Sequence, residues 1–135
     1  MFMKCDCLLC SFENPKPTAT AIVMRDNKLL VLKRNEEPFK DEWDFLGGYV
    51  NKGETPEQAL RREIKEELNT EVREATFLGA FPGTASYKEY EFPALSFAYL
   101  VELAGDIVLN GENSEYAWVP LSSLETIAFN SNQKI

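Results

Sequence analysis

Three glutamates within five residues are the part of this 135-residue chain best suited to chemistry. Glu63, Glu66 and Glu67 lie in the segment GYVNKGETPEQALRREIKEE, which spans residues 48 to 67. On a helix, steps of about 100° per residue place the three carboxylates within an arc of roughly 100°. Like charges at helical spacing repel one another, and a divalent cation would remove that repulsion. We therefore predict a metal site on this helix face.

The types of ligand indicate which metal to expect. Carboxylate oxygens are hard donors and the chain contains no histidine, so the site favours Mg²⁺ or Mn²⁺ over zinc. Magnesium commonly binds substrate phosphates beside only a few carboxylates, so we expect a phosphate ester or anhydride as substrate. The alternative is that the acidic string is a solvated helix face, and the residues before the helix argue against it.

The helix that must carry these glutamates has a predictable start. Pro56 suits the first helical position, and Thr55 before it can cap the open amide groups. We therefore predict that the helix begins near residue 56. Leu60, Ile64 and Leu68 form an apolar stripe beside the carboxylate arc, and this stripe should pack on a sheet.

Glycines mark the loop that leads into the helix. The glycine pair 47–48 precedes the segment and Gly53 interrupts it, so main-chain carbonyls can approach a metal or phosphate without a Cβ atom in the way. From the helix, the planar fork of Arg62 can reach back to Glu54 or along the helix to Glu66. The alternative for Arg62 and Glu54 is an ordinary surface ion pair, worth about 0–1 kcal/mol.

These residues follow a fixed spacing along the sequence. A glycine is followed after five residues by a glutamate, and after seven more residues by Arg-Glu, one apolar residue, one residue of any type and Glu-Glu. The pattern resembles the Nudix box of the Nudix hydrolase family. The matching positions are Gly48, Glu54, Arg62, Glu63, Ile64, Glu66 and Glu67. Asn69 and Thr70 stand where the box normally has glycine and an aliphatic residue, and Leu46 replaces a frequent proline. Asparagine tolerates the left-handed backbone that ends a helix, and none of the three changes removes a ligand.

The resemblance implies roles for the matched residues. The metal ligands would be Gly48, through its carbonyl oxygen, and Glu63, Glu66 and Glu67. Glu54 would pair with Arg62 and brace the loop against the helix. The implied reaction is hydrolysis of a nucleoside diphosphate linked to another moiety, in which water attacks one phosphorus atom.

The group that takes the proton from this water is left open. Without histidine, the work falls to a carboxylate, a lysine or a tyrosine. The candidates are Glu66 or Glu67 in the box and Glu112 or Glu115 further on, where family members often place another acidic residue. Glu115 is our preferred candidate outside the box, and the alternative for it is an exposed loop carboxylate.

Substrate recognition should use aromatic faces for a base or sugar and a cation for the distal phosphate. We predict substrate contacts from Arg34, Trp43, Phe45, Tyr87 and Tyr90. The alternatives are that the aromatic side chains are core residues and that Arg34 is a solvated strand end.

The resemblance favours ADP-ribose or a related nucleotide sugar or dinucleotide as substrate. One alternative is a nucleoside triphosphate pyrophosphohydrolase that removes oxidised nucleotides. Another is a non-catalytic module that senses nucleotides with the same fold. The intact glutamate triplet argues against the sensor, because a binding module does not need hydrolytic ligands.

The N-terminal residues 1–15 are predicted to be a cysteine-containing tail before a Nudix domain at residues 16–135. The only cysteines are Cys5, Cys7 and Cys10. Their spacing holds half of a zinc knuckle, and some Nudix hydrolases carry a cysteine-rich zinc ribbon before a similar NPKP stretch. The tail could therefore be a degenerate zinc ribbon. The alternatives are a flexible tail, a Zn²⁺ site completed by Asp6 or a second chain, and redox-active thiols.

Composition and charge limit the classes of partner. At 135 residues and 44% hydrophobic, the chain can bury one core but no second domain of ordinary size. Its net charge of −8 argues against binding to duplex nucleic acid but not against a small nucleotide. No apolar run approaches the length of a membrane span and no secretory signal is evident, so we expect a cytoplasmic protein. A homodimer is left open.

Strand patterns around the helix predict a mixed α/β domain. The predicted strands are residues 18–25, 29–33, 70–81, 92–102 and 116–119, of which the first two form a hairpin. Turns are expected at 82–86 and 105–114, and a closing helix at 120–127. Periodicity alone supports only an α/β or α+β class, whereas the resemblance implies an α/β/α sandwich with a mixed sheet.

Overall fold

The structure is a computed structural model, and it describes residues 14–35, 40–87, 90–109 and 113–120. Three predictions therefore lie outside the described residues. They concern the zinc site at Cys5, Cys7 and Cys10, the acid–base candidate Glu112, and the closing helix beyond Pro120.

One helix and seven strands make up the described part of the chain. In chain order they are β1 (Lys16–Arg25), β2 (Lys28–Arg34), β3 (Trp43–Asp44), β4 (Leu46–Tyr49), α1 (Pro56–Leu68), β5 (Val72–Tyr87), β6 (Tyr90–Leu103) and β7 (Asn113–Pro120). The strands form one sheet, in which β1 and β6 are parallel and the other paired strands are antiparallel. The prediction of a mixed sheet is confirmed.

The β1–β2 hairpin forms where the sequence predicts it. Arg25 pairs with Lys28, and the two residues between them, Asp26 and Asn27, both have positive φ angles of 53° and 63°. Positive φ at both central residues is the condition for a type I′ turn, whose twist matches that of the strands. Asparagine and aspartate tolerate this backbone better than other residues with side chains.

The centre of the sheet holds α1 close because β1 presents small residues to it. Ala19 and Ala21 of β1 are fully buried, and so are Leu60, Ile64 and Leu68 of the helix. All five belong to one apolar cluster. The predicted packing of the helix stripe on the sheet is therefore confirmed. Burial of each leucine or isoleucine contributes about 1.5–3 kcal/mol to the free energy of folding.

The turn predicted at residues 82–86 is wrong, because β5 continues through it. Pro82 pairs with Leu95 of β6, and the register between the two strands shifts between Phe77 and Gly79. β5 is an edge strand of the sheet, with β6 as a neighbour on one side only, and edge strands are where proline is tolerated in a sheet. The turn was predicted because the segment contains a proline and a glycine, which are common in turns. The strand predicted at 116–119 is also longer than expected, since β7 begins at Asn113.

A second apolar cluster of the sheet consists of Ile22, Leu29, Val31 and Phe45. Trp43 packs against this cluster and is partly buried. Within the residues that the structure describes, no helix is long and apolar enough to cross a membrane.

Candidate active site

The glycine pair was predicted to lie in a loop, but it forms the middle of strand β4, where it allows the main chain to lie close to both β1 and α1. A Cβ atom at Gly47 would come within 2.7 Å of the Ala19 carbonyl oxygen. At Gly48 it would overlap the carboxyl group of Glu63. Since β4 has no side chain there, the Glu63 carboxylate lies directly against its backbone.

Helix α1 begins at Pro56, as predicted, with a complete capping box. The Thr55 hydroxyl accepts a hydrogen bond from the Gln58 amide at 3.2 Å, and the Gln58 side chain accepts one from the Thr55 amide at 2.9 Å. At the other end, Asn69 has the left-handed backbone expected of it, with φ 56°. Its side-chain amide donates to the Val108 carbonyl at 2.6 Å. The start of the helix is therefore fixed by local hydrogen bonds, and its end by a hydrogen bond to a residue 39 positions further along the chain.

Arg62 connects the loop to the acidic face of the helix. Its Nε and Nη2 atoms donate to the two carboxylate oxygens of Glu54 at 2.7 and 3.1 Å, and Nη2 also donates to the Tyr49 carbonyl at 3.0 Å. Its Nη1 atom donates to Glu63 at 2.8 Å and to Glu66 at 3.3 Å. One guanidinium group thus joins three carboxylates and a main-chain carbonyl.

These contacts change the proton affinities of the pair at the centre. Hydrogen bonds from Arg62 lower the pKa of Glu54, and the Asn51 amide adds a hydrogen bond of 2.8 Å to the same carboxylate. The hydrogen bond to Glu54 also raises the pKa of Arg62, more than burial lowers it. Both groups therefore stay charged at neutral pH. Two parallel N–H···O bonds between an arginine and a carboxylate form a stronger ion pair than a single contact does.

The three glutamates of the triplet do not converge on one point as the side chains stand. Among the described residues, no group of three or more cysteine, aspartate or glutamate side chains is arranged to enclose a metal ion. The positive charge between Glu63 and Glu66 comes from the guanidinium group of Arg62, whose Nη1 atom contacts both carboxylates. The donors nevertheless fit Mg²⁺ or Mn²⁺ chemically, because they are carboxylates beside a glycine backbone. Binding of such an ion requires the carboxylates to turn towards it.

Glu67 faces a small recess at the sheet edge, together with Arg34. The recess has a volume of about 50 Å³ and is lined by Leu32, Arg34, Asp44, Phe45, Leu46, Gly47 and Glu67. Two predicted site residues from distant parts of the sequence, Arg34 and Glu67, therefore meet here. Phe45 also contributes to the lining, although it is only 6% exposed and belongs to the apolar core.

Asp44 is a residue of this recess that the sequence analysis missed. It is 8% exposed, and its Oδ1 atom accepts a hydrogen bond from the Phe45 amide at 2.8 Å. The available signal was an acidic residue between two aromatic ones, Trp43 and Phe45, directly before the glycine pair. That signal is weak because strand ends often carry single charged residues.

The other predicted substrate residues lie at several positions. Trp43 is partly buried, with the Lys33 ammonium group 6.0 Å from its ring centroid. In the backbone register of the sheet, Tyr87 at the end of β5 lies opposite Tyr90 at the start of β6. Glu115, the preferred acid–base candidate outside the box, lies opposite Lys33 and forms an ion pair with it at 3.4 Å. Its side chain is 57% exposed, and it does not line the recess of Glu67.

Tyr49 is a second residue that the sequence analysis missed. Its ring lies 6.2 Å from that of Phe92, and the tyrosine is 40% exposed. Burial of the phenol raises its pKa, so the group remains neutral at physiological pH. The signal in the sequence was an aromatic residue directly after the glycine pair.

Known proteins are similar to this chain over most of its length. The family model for the NUDIX domain matches residues 15–135. The ADP-ribose pyrophosphatase of Methanocaldococcus jannaschii is 29% identical over 125 residues, which cover 92% of this chain and 73% of that protein. The nucleoside triphosphatase NudI of Enterobacter sp. strain 638 is 32% identical over 105 residues, which cover 72% of this chain and 74% of that protein.

The fold is also similar to solved structures. The crystal structure of the MutT NUDIX hydrolase from Burkholderia pseudomallei aligns with a TM-score of 0.71 and 25% identity, over 86% of this chain and 88% of that one. This similarity confirms the predicted α/β/α sandwich class. By its sequence and by its fold, the chain belongs to the NUDIX domain family and is a Nudix pyrophosphohydrolase.

Proposed function

We propose that this protein uses a divalent metal to hydrolyse the diphosphate linkage of a nucleoside diphosphate derivative. ADP-ribose, or a related nucleotide sugar or dinucleotide, is the substrate that we favour. The observation that carries the proposal is the Arg62 contact set, which joins Glu54 of the loop to Glu63 and Glu66 of the helix. Such an arrangement holds a phosphate-facing loop and an acidic helix face in one orientation.

The metal would be held by the box residues. Nudix hydrolases generally use divalent metal ions. We assign Mg²⁺ or Mn²⁺ to Glu63, Glu66 and Glu67, with the carbonyl oxygen of Gly48 as a further ligand. Bound there, the metal supplies positive charge to the diphosphate and increases the acidity of nearby water. We assign Glu54 to bracing the loop and not to the metal, because both of its oxygens accept hydrogen bonds from Arg62.

Other residues orient the substrate and move the proton. Arg34 lines the same recess as Glu67, and its planar fork suits a phosphate group. The oxygen of a water molecule attacks one phosphorus, and the bond from that phosphorus to the bridging oxygen breaks. The proton passes to a carboxylate, for which Glu66, Glu67 and Glu115 are the candidates. ADP-ribose would give AMP and ribose 5-phosphate.

Two relatives support different substrates. The relative named as an ADP-ribose pyrophosphatase aligns with 92% of this chain, which favours the first substrate class. The relative named as a nucleoside triphosphatase is slightly more identical, at 32%, over a shorter alignment. Hydrolysis of nucleoside triphosphates is therefore the second candidate. Both reactions use the same attack of water on a phosphorus atom.

The test is a panel of ADP-ribose, dinucleotides, nucleotide sugars and oxidised nucleoside triphosphates, each with Mg²⁺ or Mn²⁺. We expect metal-dependent turnover of ADP-ribose by the wild-type protein and its loss in Glu67→Gln. The matched control is Glu71→Gln, which removes an exposed carboxylate paired with Lys65, beyond the end of α1. Turnover only of triphosphates would favour the second candidate. Tight nucleotide binding without any product would favour the non-catalytic sensor.

A further inference from the structure

An apolar recess lies where β4 leads into the loop before α1, distinct from the small recess at Glu67. It has a volume of about 360 Å³ and is lined by Lys16, Pro17, Tyr49, Val50 and Phe92. This volume is within the range of about 300–1,000 Å³ that small-molecule sites occupy. Aromatic and aliphatic side chains with a single cation are also the lining that such sites show.

The recess is connected to the glycine pair of β4 through Tyr49. Tyr49 directly follows Gly48, and its carbonyl oxygen accepts a hydrogen bond of 3.0 Å from Arg62. The same arginine binds Glu63, which lies against Gly48. Successive side chains of a strand point to opposite faces, so the ring of Tyr49 lies on the face of β4 away from Glu63, and the recess is joined to the acidic helix face through the backbone of two adjacent residues.

The geometry of the two rings determines how a planar ligand would bind. The centroids of Tyr49 and Phe92 are 6.2 Å apart and the ring planes are tilted by 35°. Carbon atoms in contact are separated by about 3.5–4.0 Å, so a third ring between two aromatic faces needs about 7 Å or more. The pair is too close to enclose a ring. A planar ligand would therefore stack on the outer face of Tyr49, which is 40% exposed, while Phe92 supports it from behind.

Lys16 supplies the charge that such a ligand would need. It is exposed at the start of β1 and pairs with Ala94, two residues after Phe92 in β6. The chain as a whole carries a net charge of −8, which repels an anionic ligand, so a local cation is needed at this position to offset that repulsion. A stacking face next to an ammonium group is complementary to a nucleoside phosphate.

We propose that Tyr49, supported by Phe92, is the platform on which the nucleobase of the substrate stacks. Lys16 attracts the phosphate group of the same substrate. The inference rests on the proposed hydrolysis of a nucleotide derivative and adds the part of the site that recognises the base. Stacking is tolerant of base identity, because every base has an aromatic face. The substrate class is therefore one that carries a base, and a sugar phosphate without a base binds less tightly.

The test measures binding, not turnover. Isothermal titration calorimetry in Mg²⁺ compares the four common nucleoside monophosphates with ribose 5-phosphate, which lacks the base. We expect Tyr49→Leu to weaken nucleoside monophosphate binding by roughly tenfold and to leave ribose 5-phosphate binding unchanged. Tyr49→Phe keeps the stacking face and should bind like the wild-type protein. The matched control is Tyr116→Leu, since Tyr116 is 41% exposed and does not line the recess.

Three results would overturn the inference. They are an equal loss in Tyr49→Leu and Tyr116→Leu, an equal loss for ribose 5-phosphate, and no binding of any nucleoside monophosphate to the wild-type protein. Phe92→Leu replaces Tyr49→Leu as the test if thermal melting shows the latter to be unfolded, and its loss should again depend on the base. If the turnover panel is silent but base-dependent binding needs Tyr49, the hydrolase proposal fails and the stacking site stands. If the panel shows turnover but binding does not depend on the base, the hydrolase proposal stands and the stacking site fails.

Discussion

The carboxyl group of Glu63 occupies the space that a side chain at Gly48 would need. The glycine that the resemblance identifies as a carbonyl ligand therefore also has a steric function, because it lets an acidic side chain of α1 lie against β4. Arg62 holds this carboxylate from the other side, at 2.8 Å. β4 and the helix are thus in contact at a position where an added side chain would displace Glu63.

Gly48→Ala should displace Glu63 and lower kcat/KM by about 100-fold, because a misplacement of about 1 Å can cost that much. Gly53→Ala is the matched control. Gly53 has a positive φ of 84° but nothing within 4 Å of an added Cβ atom, so this change tests backbone strain alone. Steady-state kinetics and thermal melting of both variants separate the two effects. Equal losses of activity would contradict the steric role of Gly48.

Arg62→Lys should destabilise the fold by about 1–3 kcal/mol, because lysine cannot reproduce the bidentate contact with Glu54 and the contact with the Tyr49 carbonyl. Its neighbour provides the control. Arg61 pairs with the exposed Glu57 at 3.1 Å, so Arg61→Lys should change the free energy of unfolding by about 0.5 kcal/mol or less. Urea unfolding measures both. Similar values for the two variants would show that the Arg62 contacts add little.

Thr55→Ala should lower the free energy of unfolding by about 1 kcal/mol, because it removes the hydroxyl that caps the Gln58 amide. Thr55→Ser keeps the hydroxyl and should be close to the wild-type protein. Urea unfolding followed by circular dichroism tests the pair. Equal loss in both variants would mean that the threonine methyl group, and not the cap, stabilises the start of α1.

Addition of Mg²⁺ should raise the melting temperature of the wild-type protein, because an ion that binds only the folded state stabilises it. The gain is about 2.7 kcal/mol at a concentration 100 times the dissociation constant. The rise should be smaller in Glu63→Gln and in Glu67→Gln, and unchanged in the control Glu71→Gln. Removal of the ion with EDTA should reverse it. An equal rise in all four proteins would indicate non-specific binding to an acidic surface.

Glu115→Gln tests the acid–base candidate outside the box. If Glu115 takes the proton from water, we expect kcat to fall by about 100-fold. Lys33→Met breaks the same ion pair and leaves the carboxylate in place, so it should have a much smaller effect. A fall of the same size in both variants would assign the effect to the ion pair, and an unchanged kcat in Glu115→Gln would exclude the catalytic role.

Local features of the fold could be predicted because neighbouring residues decide them. The start of α1 at Pro56 follows from Thr55 and the proline, and the hairpin turn follows from Asp26 and Asn27. The acidic face of the helix likewise depends only on the spacing of its residues. These interactions span a few residues, so the sequence contains all the information that they need.

The edge strand and the aromatic contacts could not be predicted in this way. Residues 82–86 have the composition of a turn, and only the pairing of β5 with β6 at the edge of the sheet makes them a strand. Tyr49 and Phe92 meet because β4 and β6 both pair with β1. Neither residue carries a local signal for that contact.

The sequence by itself determined the family resemblance, the acidic helix and its caps, since these depend on residue types at short spacing. Only the tertiary structure decided that Arg62 reaches the Tyr49 carbonyl, that Arg34 shares a recess with Glu67, and that Gly48 makes room for Glu63. Each of these contacts joins elements that are separate in the chain. Their geometry depends on the register of the sheet and on the packing of α1 against it, which no short segment specifies.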